Sequence, residues 1–469
     1  MIKPIIACQA PFPYTIRMIV MKFGGSSVAN ADRLRYVTEI VKARLDKKPI
    51  LVLSAMGDTT DHLLEAGETA LKNGIVQVEK IEELHLKTIT EMELGDGALR
   101  GTRSLLAELR NLLMGISLIR ELTGKTKDYL LSFGERLSVR TAAACFYSMG
   151  IKAKAVDAWD AGFISNSNHM SAELAEESWR LIPEKLLPPV EEGILQVVTG
   201  FIAKDEEGNI TTLGRGGSDL TAAMIAAACG AAELQVWKDV DGILTADPRI
   251  VNCARVVDNI TYEAAAEMAY YGAQVLHPRA MQPCMKTGTP VLVKNSYNPD
   301  APGTRIVSSI ASMGEKRSPI QAITSRKNVT LVDIVSSRMV GQHGFMAEVF
   351  ACFARHGVSV DMVATSEVSI SLTLDAFHDL KELKKDLSRI ADVEIRTGKA
   401  IVTIIGDVGR SSEILARSFK ICKLLGVQVQ MVSQGASKVN ISFIVNDKEA
   451  AGVIKGLHAD FFEEFKANT

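Results

Sequence analysis

Three glycine-rich segments carry the residues whose types and spacing could do chemistry. The first, Lys22-Phe23-Gly24-Gly25-Ser26-Ser27, ends an apolar run that begins at Met18. Glycines let backbone N–H groups approach an anion, and a following helix offers its positive N-terminal end. Lys22 would then be a point charge on a transferring phosphoryl group. An ordinary strand-to-helix turn with a surface lysine accounts for the same residues. The second segment is Thr211-Thr-Leu-Gly214-Arg215-Gly216-Gly217-Ser218-Asp219, leading into the small-residue helix Leu220 to Ala232. Arg215 can clamp a carboxylate bidentately. Gly216, Gly217 and Ser218 form an N–H-rich cradle, and Asp219 adds an acidic group. Helix capping would explain Asp219 but not an arginine between glycines, so a binding role is favoured. The third, Val236-Trp237-Lys238-Asp239-Val240-Asp241-Gly242, continues to Arg249. A strand opening onto Lys238 and Asp239 could flank a nucleotide, with Arg249 returning toward phosphates. A plain β-turn at Asp241-Gly242 fits equally well.

The elements around these segments predict an α/β domain. A strand at Met18 to Phe23 is followed by Ala31 to Leu45, where Leu34, Val37, Val41 and Leu45 recur at helical spacing. Ile50 to Leu53 reads as a second buried strand, ending in Ser54-Ala55-Met56-Gly57. Strand, glycine turn, helix and strand begin a largely parallel sheet flanked by helices. Residues 61–149 are mostly helical in pattern, and strand–loop units return at 196–201, 211–213, 234–237 and 291–293. Pro299, Pro302 and Gly303 mark a break, which places a boundary near 308–318.

Beyond that break the chain repeats itself. His356-Gly-Val-Ser-Val-Asp-Met-Val363 matches Leu425-Gly-Val-Gln-Val-Gln-Met-Val432 at an offset of 69 residues. Val368-Ser-Ile-Ser-Leu372 matches Val439-Asn-Ile-Ser-Phe443 at an offset of 71. Each copy has a strand first (330–335; 400–405) and then an amphipathic helix (345–355; 412–424), so each reads β-α-β-β with a further helix completing a ferredoxin-like α+β unit. The expected domains are 18–307, 320–397 and 398–469, with interleaving of the last two allowed.

Composition narrows the function. The chain has 469 residues, 47% hydrophobic and 23% charged, with net charge −2. This is a globular composition, and it lacks the basic excess that a nucleic-acid partner asks for. Seven cysteines with no C-x-x-C pair predict free thiols in a reducing compartment. The longest charge-free run, Leu424 to Ser437, has 14 residues, short of the ~20 a membrane helix needs. The first 17 residues lack the apolar core of a secretory signal. The cytoplasm is expected, or a plastid had a transit peptide been removed. There is no G-x-x-x-x-G-K-[ST] loop, no protein-kinase H-R-D or D-F-G set and no G-x-S-x-G elbow. None of the eight histidines has metal-ligand spacing, so no protein metal ligand is expected. His277 is read as a packing residue, and the Met and Phe stripe of the helix at Phe345 as core.

Together these segments resemble aspartate kinase of the amino-acid kinase superfamily, across 18 to about 465. The motifs are Lys22-Phe-Gly-Gly-Ser-Ser, Leu53-Ser-Ala-Met-Gly, Ser132-Phe-Gly-Glu135, Gly214-Arg-Gly-Gly-Ser-Asp219, Asp239-Val-Asp-Gly-Ile243 and Val363-Ala-Thr-Ser-Glu-Val-Ser-Ile370. The run Gln434-Gly-Ala-Ser-Lys-Val-Asn-Ile-Ser442 is similar to the monofunctional plant-type enzymes, whose regulatory tail is a pair of ACT domains. The resemblance implies ATP-dependent, Mg²⁺-assisted phosphorylation of the L-aspartate β-carboxylate, the first step toward lysine, threonine, methionine and isoleucine. It implies that Lys22 stabilises the transferring phosphoryl group and Asp219 organises Lys22 and the substrate. Gly24 and Gly25 line the phosphate path, with Ser54 near the phosphates. Thr60 and Glu135 contact the substrate, Glu135 matching its ammonium. Arg215 binds the α-carboxylate with help from Ser218, and Lys238, Asp239 and Arg249 match nucleotide contacts. Gln274 stands where some members carry an ATP-contacting lysine, which leaves the ATP contacts there open.

In the tail, Met339, Gly344, Phe345, Ser359, Val360, Asp361, Ser366 and Glu367 match the family's lysine-effector region. This implies feedback inhibition by lysine, acting alone or with S-adenosylmethionine, or by threonine. Strand-end and helix-cap duty explains Asp361 and Glu367 equally without the resemblance. The pairing habit of ACT domains predicts a homodimer or dimer of dimers. Two rivals are a superfamily kinase acting on another acidic metabolite such as N-acetylglutamate, and a non-catalytic amino-acid sensor. Glu135 speaks against an acetylated substrate, and retention of Lys22 and Asp219 speaks against a sensor. A fusion to homoserine dehydrogenase is not expected, since no residues remain for a dinucleotide-binding domain after the ACT pair.

Overall fold

The computed structural model describes residues 18–271, 276–309, 318–341, 343–375, 380–434 and 439–463. Gln274 and most of the expected boundary segment lie outside the described residues. In chain order the elements begin with β1 (Ile19–Phe23), α1 (Ala31–Lys42), β2 (Ile50–Leu53), α2 (Thr59–Asn73), α3 (Glu79–Glu91), α4 (Asp96–Ile119) and α5 (Gly124–Ser148). Next come β3 (Ala153–Val156), β4 (Ile164–Ser165), α6 (Ser178–Glu191), β5 (Leu195–Thr199), β6 (Ile202–Asp205), β7 (Ile210–Thr212), α7 (Gly217–Ala228) and β8 (Glu233–Lys238). After β9 (Asn259–Thr261) and α8 (Tyr262–Tyr270) follow α9 (Pro278–Thr287), β10 (Val291–Asn295) and β11 (Thr304–Val307). The tail holds β12 (Ile320–Val335), α10 (Phe345–Arg355), β13 (Val360–Thr365), β14 (Ser369–Leu374), α11 (Leu380–Leu387), β15 (Asp392–Gly406), α12 (Ser411–Leu424), β16 (Met431–Ser433), β17 (Asn440–Asn446) and α13 (Asp447–His458).

The chain divides into two compact units, one running to Val240 and taking back Arg279–Ala301, the other holding Asp241–Pro278 and everything from Pro302. In the first unit six strands run in the order β3-β5-β2-β1-β8-β10. Each neighbouring pair is parallel, including β1 with β2 and with β8. The order leaves β1 in one direction toward β2 and β5 and in the other toward β8 and β10. Such a reversal opens a crevice at the carboxyl ends of the strands. Every residue of β1 is buried, as expected of a strand covered on both faces. Ile19, Met21 and Phe23 pack into a core with Leu34, Val37 and Val41 of α1 and Val139 and Phe146 of α5. By alternation Lys22 points to the opposite face, where α7 lies.

In the second unit a six-stranded antiparallel sheet has the order β13-β14-β12-β15-β17-β16. Each copy of the repeat is β-α-β-β-α, as the sequence offset predicts. The strands β12 and β15 are 16 and 15 residues long. The far half of β12 (Leu331–Val335) pairs with the near half of β15, and the near half of β12 (Ile320–Arg326) with the far half of β15. Each long strand therefore serves both copies, giving each its fourth strand. The register shifts between Arg326 and Leu331. There Asn328 adopts φ 56° and Gly398 φ 67°, left-handed conformations that Gly and Asn take most readily. Two cores flank the crossover, one around Val349, Phe353 and Leu372 and one around Ile404, Phe443 and Leu457.

Candidate active site

The crevice at the carboxyl ends of β1 and β8 collects the charged residues of the first unit. Lys22 and Lys238 sit on neighbouring parallel strands, with Lys22 in register with Val236 and Phe23 with Trp237. The Phe23 and Trp237 rings stack at 5.7 Å, both fully buried. Such a pair contributes about 1 kcal/mol beyond its burial, and it ties the two strands together directly beside the lysines. Asp219, in the first turn of α7, receives both ammoniums: Lys22 Nζ at 2.7 Å on Oδ1 and Lys238 Nζ at 3.5 Å on Oδ2. Burial works to raise the Asp219 carboxyl, but Lys22 and Lys238 outweigh it and hold it below the ordinary carboxylate range. For Lys238 burial dominates and lowers its pKa, with Asp219 pulling the other way.

Glu135 lies 4% exposed on α5. Its Oε2 has no hydrogen-bond partner. Burial pushes its carboxyl up to about 8, against the stabilising Ala55 N–H and Lys22 charge. A buried acid with an orphaned oxygen is suited to an incoming cation. The 25-residue helix α5 starts from a Thr123 cap whose hydroxyl accepts the Thr126 N–H. Asp128, Glu135 and Ser138 are spaced along α5 so that they fall on one face.

Loop backbone fills the space between these elements. Ser54 N–H donates to the Phe23 carbonyl, and Ser138 Oγ donates to the Ser54 carbonyl at 2.7 Å. A Cβ on Gly25 would lie 2.8 Å from the Ala55 oxygen and 3.1 Å from the Gly57 oxygen, so only glycine lets these two loops meet. A Cβ on Gly24 would lie 3.8 Å from Lys22 Nζ, so the Gly24 backbone borders the lysine. A Cβ on Gly134 would lie 3.8 Å from Thr60 Oγ1, which places Thr60 beside the Glu135 turn. A Cβ on Gly200 would lie 2.6 Å from Ser218 Cβ, so Ser218 packs directly on that glycine.

Arg215 is exposed, between Gly214 at φ 73° and Gly216 at φ 75°. The left-handed glycines on either side turn the chain sharply and project the arginine outward. Asp239 is exposed at the end of β8. Arg249 belongs to the second unit, where its guanidinium pairs with Asp247 at 2.7 Å. The first unit thus brings Lys22, Gly24, Gly25, Ser54, Thr60, Glu135, Ser218, Asp219 and Lys238 together.

One residue that the sequence did not single out holds the arginine loop. Asp128, fully buried, accepts the Thr212 hydroxyl at 2.6 Å and the Met170 N–H at 3.1 Å, with His169 Nδ1 at 2.7 Å. A Cβ on Gly214 would lie 3.2 Å from the Met170 oxygen. Asp128 therefore fixes both the strand before Gly214 and the segment packed against it. Its sequence context, Lys125-Thr-Lys-Asp128, reads as a solvated helix start and gives no signal of burial.

The effector-matched residues lie in the second unit. Asp361 on β13 has a side chain only 3% exposed, with Arg326 at 3.2 Å and the Tyr270 hydroxyl donating to it. Burial raises its carboxyl despite Tyr270 and Arg326. Phe345 is buried at the start of α10, while Gly344, Ser359, Ser366 and Glu367 are exposed and Met339 and Val360 half-buried. Among the described residues no helix is long and apolar enough to cross a membrane.

Comparison with known proteins agrees with this architecture. Residues 17–295 match the amino acid kinase family model, and 332–378 with 402–461 match an ACT domain model. Aspartokinase 1, chloroplastic, of Arabidopsis thaliana is 47% identical over 461 residues, spanning 95% of this chain and 80% of that relative. The crystal structure of Escherichia coli aspartokinase III in complex with lysine and aspartate, in its T-state, superposes with TM-score 0.79 at 32% identity, covering 95% of this chain and all of that one. The same enzyme with aspartate and ADP, in its R-state, gives TM-score 0.78 at 31% identity over 95% of this chain and 100% of that one. A catalytic match over more than half the chain, joined to a relative this similar along nearly its whole length, shows that the chain belongs to the aspartokinase family.

Proposed function

We propose that the Lys22–Asp219–Lys238 cluster is the phosphoryl-transfer centre and that Glu135 is the seat of the substrate ammonium. The chain is an ATP-dependent aspartate kinase. An oxygen of the aspartate β-carboxylate attacks the γ-phosphorus, the bond from that phosphorus to the β,γ-bridging oxygen breaks, and ADP leaves with that oxygen. Phosphoryl transfer asks chiefly for in-line positioning and for charge neutralisation. Lys22 sits where negative charge builds on the transferring group, and Asp219 keeps Lys22 and Lys238 from swinging away or repelling each other. Gly25 offers its backbone N–H to the phosphates with no side chain in the way, Gly24 lines the path beside Lys22, and Ser54 stands at the end of the adjacent loop.

Substrate recognition follows from the zwitterion. Glu135 and Thr60 take the ammonium, while Arg215 and Ser218 take the α-carboxylate. An acetylated amino group would leave the buried Glu135 carboxyl without its cation, which favours a free amino acid. Asp239, at the end of β8, is assigned to the nucleotide side. Asp219 has both oxygens committed to lysines, so the donor set suits Mg²⁺ that is carried mainly by phosphate oxygens and water. Mg²⁺ bound in that way neutralises phosphate charge.

The observation that carries this reading is a buried carboxylate bridging two lysines beside an orphaned acid. Trapping of the acyl phosphate by hydroxylamine with Mg-ATP and L-aspartate tests it. Hydroxamate formed by the wild type and absent with Lys22→Ala supports the assignment. No hydroxamate from a folded, ATP-binding protein would point to another acidic substrate.

For the tail we propose lysine as feedback effector, its ammonium received at Asp361, and a homodimer formed through the ACT units. The buried Asp361 carboxyl supports the first, as the acidic group of the matched region that an ammonium could join beside Arg326. A rate unmoved by lysine at subsaturating aspartate would dismiss it, and sedimentation velocity reads the second. The plastid is the compartment proposed, on the likeness to a chloroplastic relative, and immunolocalisation in the source cells tests it.

A further inference from the structure

Three side chains remote in sequence meet in the second unit with the donor chemistry of a metal site. Cys253 Sγ lies 3.2 Å from Glu463 Oε1 and 3.9 Å from His458 Nδ1. His458 Nδ1 lies 3.9 Å from the same Glu463 oxygen. A tetrahedral zinc ion with ordinary bond lengths sets its sulfur, nitrogen and oxygen ligands about 3.4–3.6 Å apart. All three separations are therefore within about 0.5 Å of a coordinated set. We propose that Cys253, His458 and Glu463 form a binding site for a borderline-soft divalent cation of the Zn²⁺ class, with water in the fourth position.

Three features of the surroundings support it. The His458 ring is fully buried, and its Nε2 lies 3.0 Å from Thr245 Oγ1. That hydroxyl oxygen also accepts the Arg255 N–H at 3.0 Å, and its second lone pair can take Nε2–H, which turns the Nδ1 lone pair toward Cys253 and Glu463. A metal-bound histidine characteristically has its other nitrogen fixed in this way. Second, Ala459–Glu463 is a π-helical turn directly after α13. A π turn returns to the same side every five residues or so, which brings Glu463 over His458, and such turns concentrate at functional sites. Third, Phe462, within the turn, packs its ring against the His458 ring at 4.7 Å with a 34° tilt and helps hold the imidazole in place. The nearby cation, Arg255, donates to the Phe462 carbonyl.

Binding is balanced simply. The Cys253 thiol loses its proton to solvent as the S–metal bond forms, while a Glu463 carboxylate oxygen and the His458 Nδ1 lone pair supply the other two protein bonds. One proton is released per metal. The thiolate and carboxylate cancel the two charges of the ion. The site would clamp the segment 241–278 to the end of the C-terminal helix, both parts of one compact unit. It stands independently of the kinase reading, since it shares no residue with it.

The test uses the full chain, stripped with chelator and titrated with Zn²⁺ against a chromophoric competitor, then with Co²⁺. One Zn²⁺ per chain, one proton released, and a thiolate-to-cobalt charge-transfer band with intense tetrahedral d–d absorption are expected. Cys253 is exposed, so Cys253→Ser should fold and lose both the stoichiometric Zn²⁺ and the charge-transfer band. Thr245→Val should keep the ligands but weaken binding about tenfold. A thermal midpoint raised by Zn²⁺ in the wild type and unmoved in Cys253→Ser gives a second reading. Zn²⁺ binding unchanged in Cys253→Ser, or a Co²⁺ spectrum without the thiolate band, would overturn the proposal.

Discussion

Lys22 Nζ and Asp219 Oδ1 stand 2.7 Å apart, each side chain 8% exposed, joining the end of the first strand to the first turn of α7. Removing the Asp219 charge leaves Lys22 buried and uncompensated, whereas removing Lys22 leaves Asp219 paired with Lys238 alone. Asp219→Asn should keep the shape but face Lys22 and Lys238 with no counter-charge, lowering kcat by about 10²–10³. Hydroxamate rates on protein shown folded by thermal melting check this. A kcat within about twofold of wild type would remove Asp219 from the mechanism.

Glu135 gives a pH dependence with a definite sign. Its carboxyl is raised to about 8 in the ligand-free fold, so below that pH it is protonated and must lose a proton before it can hold an ammonium. Aspartate affinity should therefore rise with pH through about 8 and level off above it. The same shift works against the fold. Between the ordinary carboxylate range and pH 8 the unfolded chain has this group ionised while the native chain keeps it protonated, so its contribution to stability falls as pH rises. Glu135→Gln should raise the melting temperature at pH 8 while abolishing aspartate turnover. A variant less stable at that pH would contradict the assignment.

Asp128 is a positioning residue, so its loss should register in substrate binding before chemistry. Asp128→Asn removes the charge that gathers Thr212, Met170 and His169. The expected cost is about 1–3 kcal/mol of stability. A rise in KM for aspartate larger than the fall in kcat is expected in steady-state kinetics, because the loop carrying Arg215 loosens. Equal changes in both would mean that Asp128 acts only on folding.

Gly25→Ala places a methyl 2.8 Å from the Ala55 carbonyl oxygen, and backbone cannot yield as a side chain can. The loops at the ends of β1 and β2 must part. A fall of about tenfold or more in kcat/KM for ATP is predicted, with far-ultraviolet circular dichroism unchanged.

Asp361→Asn should raise the lysine concentration giving half-inhibition by about tenfold or more, the worth of one charge-assisted hydrogen bond. Inhibition curves at fixed aspartate decide it. Unchanged curves would place the effector elsewhere.

The order of elements, the tail repeat and the three glycine loops follow from sequence alone, because local chemistry specifies them. The spacing of Leu34, Val37 and Val41 makes α1 a helix that packs on a sheet. Glycines flanking Arg215 allow only a sharp turn, and the paired runs at Val363 and Val432 announce two copies of one unit. The helix at Phe345–Arg355 matches its sequence boundaries residue for residue. What the spacing could not carry was which distant side chains meet. Asp219 touches both Lys22 and Lys238 because β1 and β8 are neighbours, and strand order is a property of the whole sheet. Asp128 is buried only because the loop at Met170 folds over it, so its charged surroundings in sequence read as surface. The long strands β12 and β15 serve both tail units because their halves pair crosswise, which no single copy of the repeat specifies. Cys253, His458 and Glu463 share no motif and converge only where α13 ends in a π turn. Periodicity and turn chemistry act over a few residues. Desolvation, charge pairing and coordination act across space, and only the folded chain decides them.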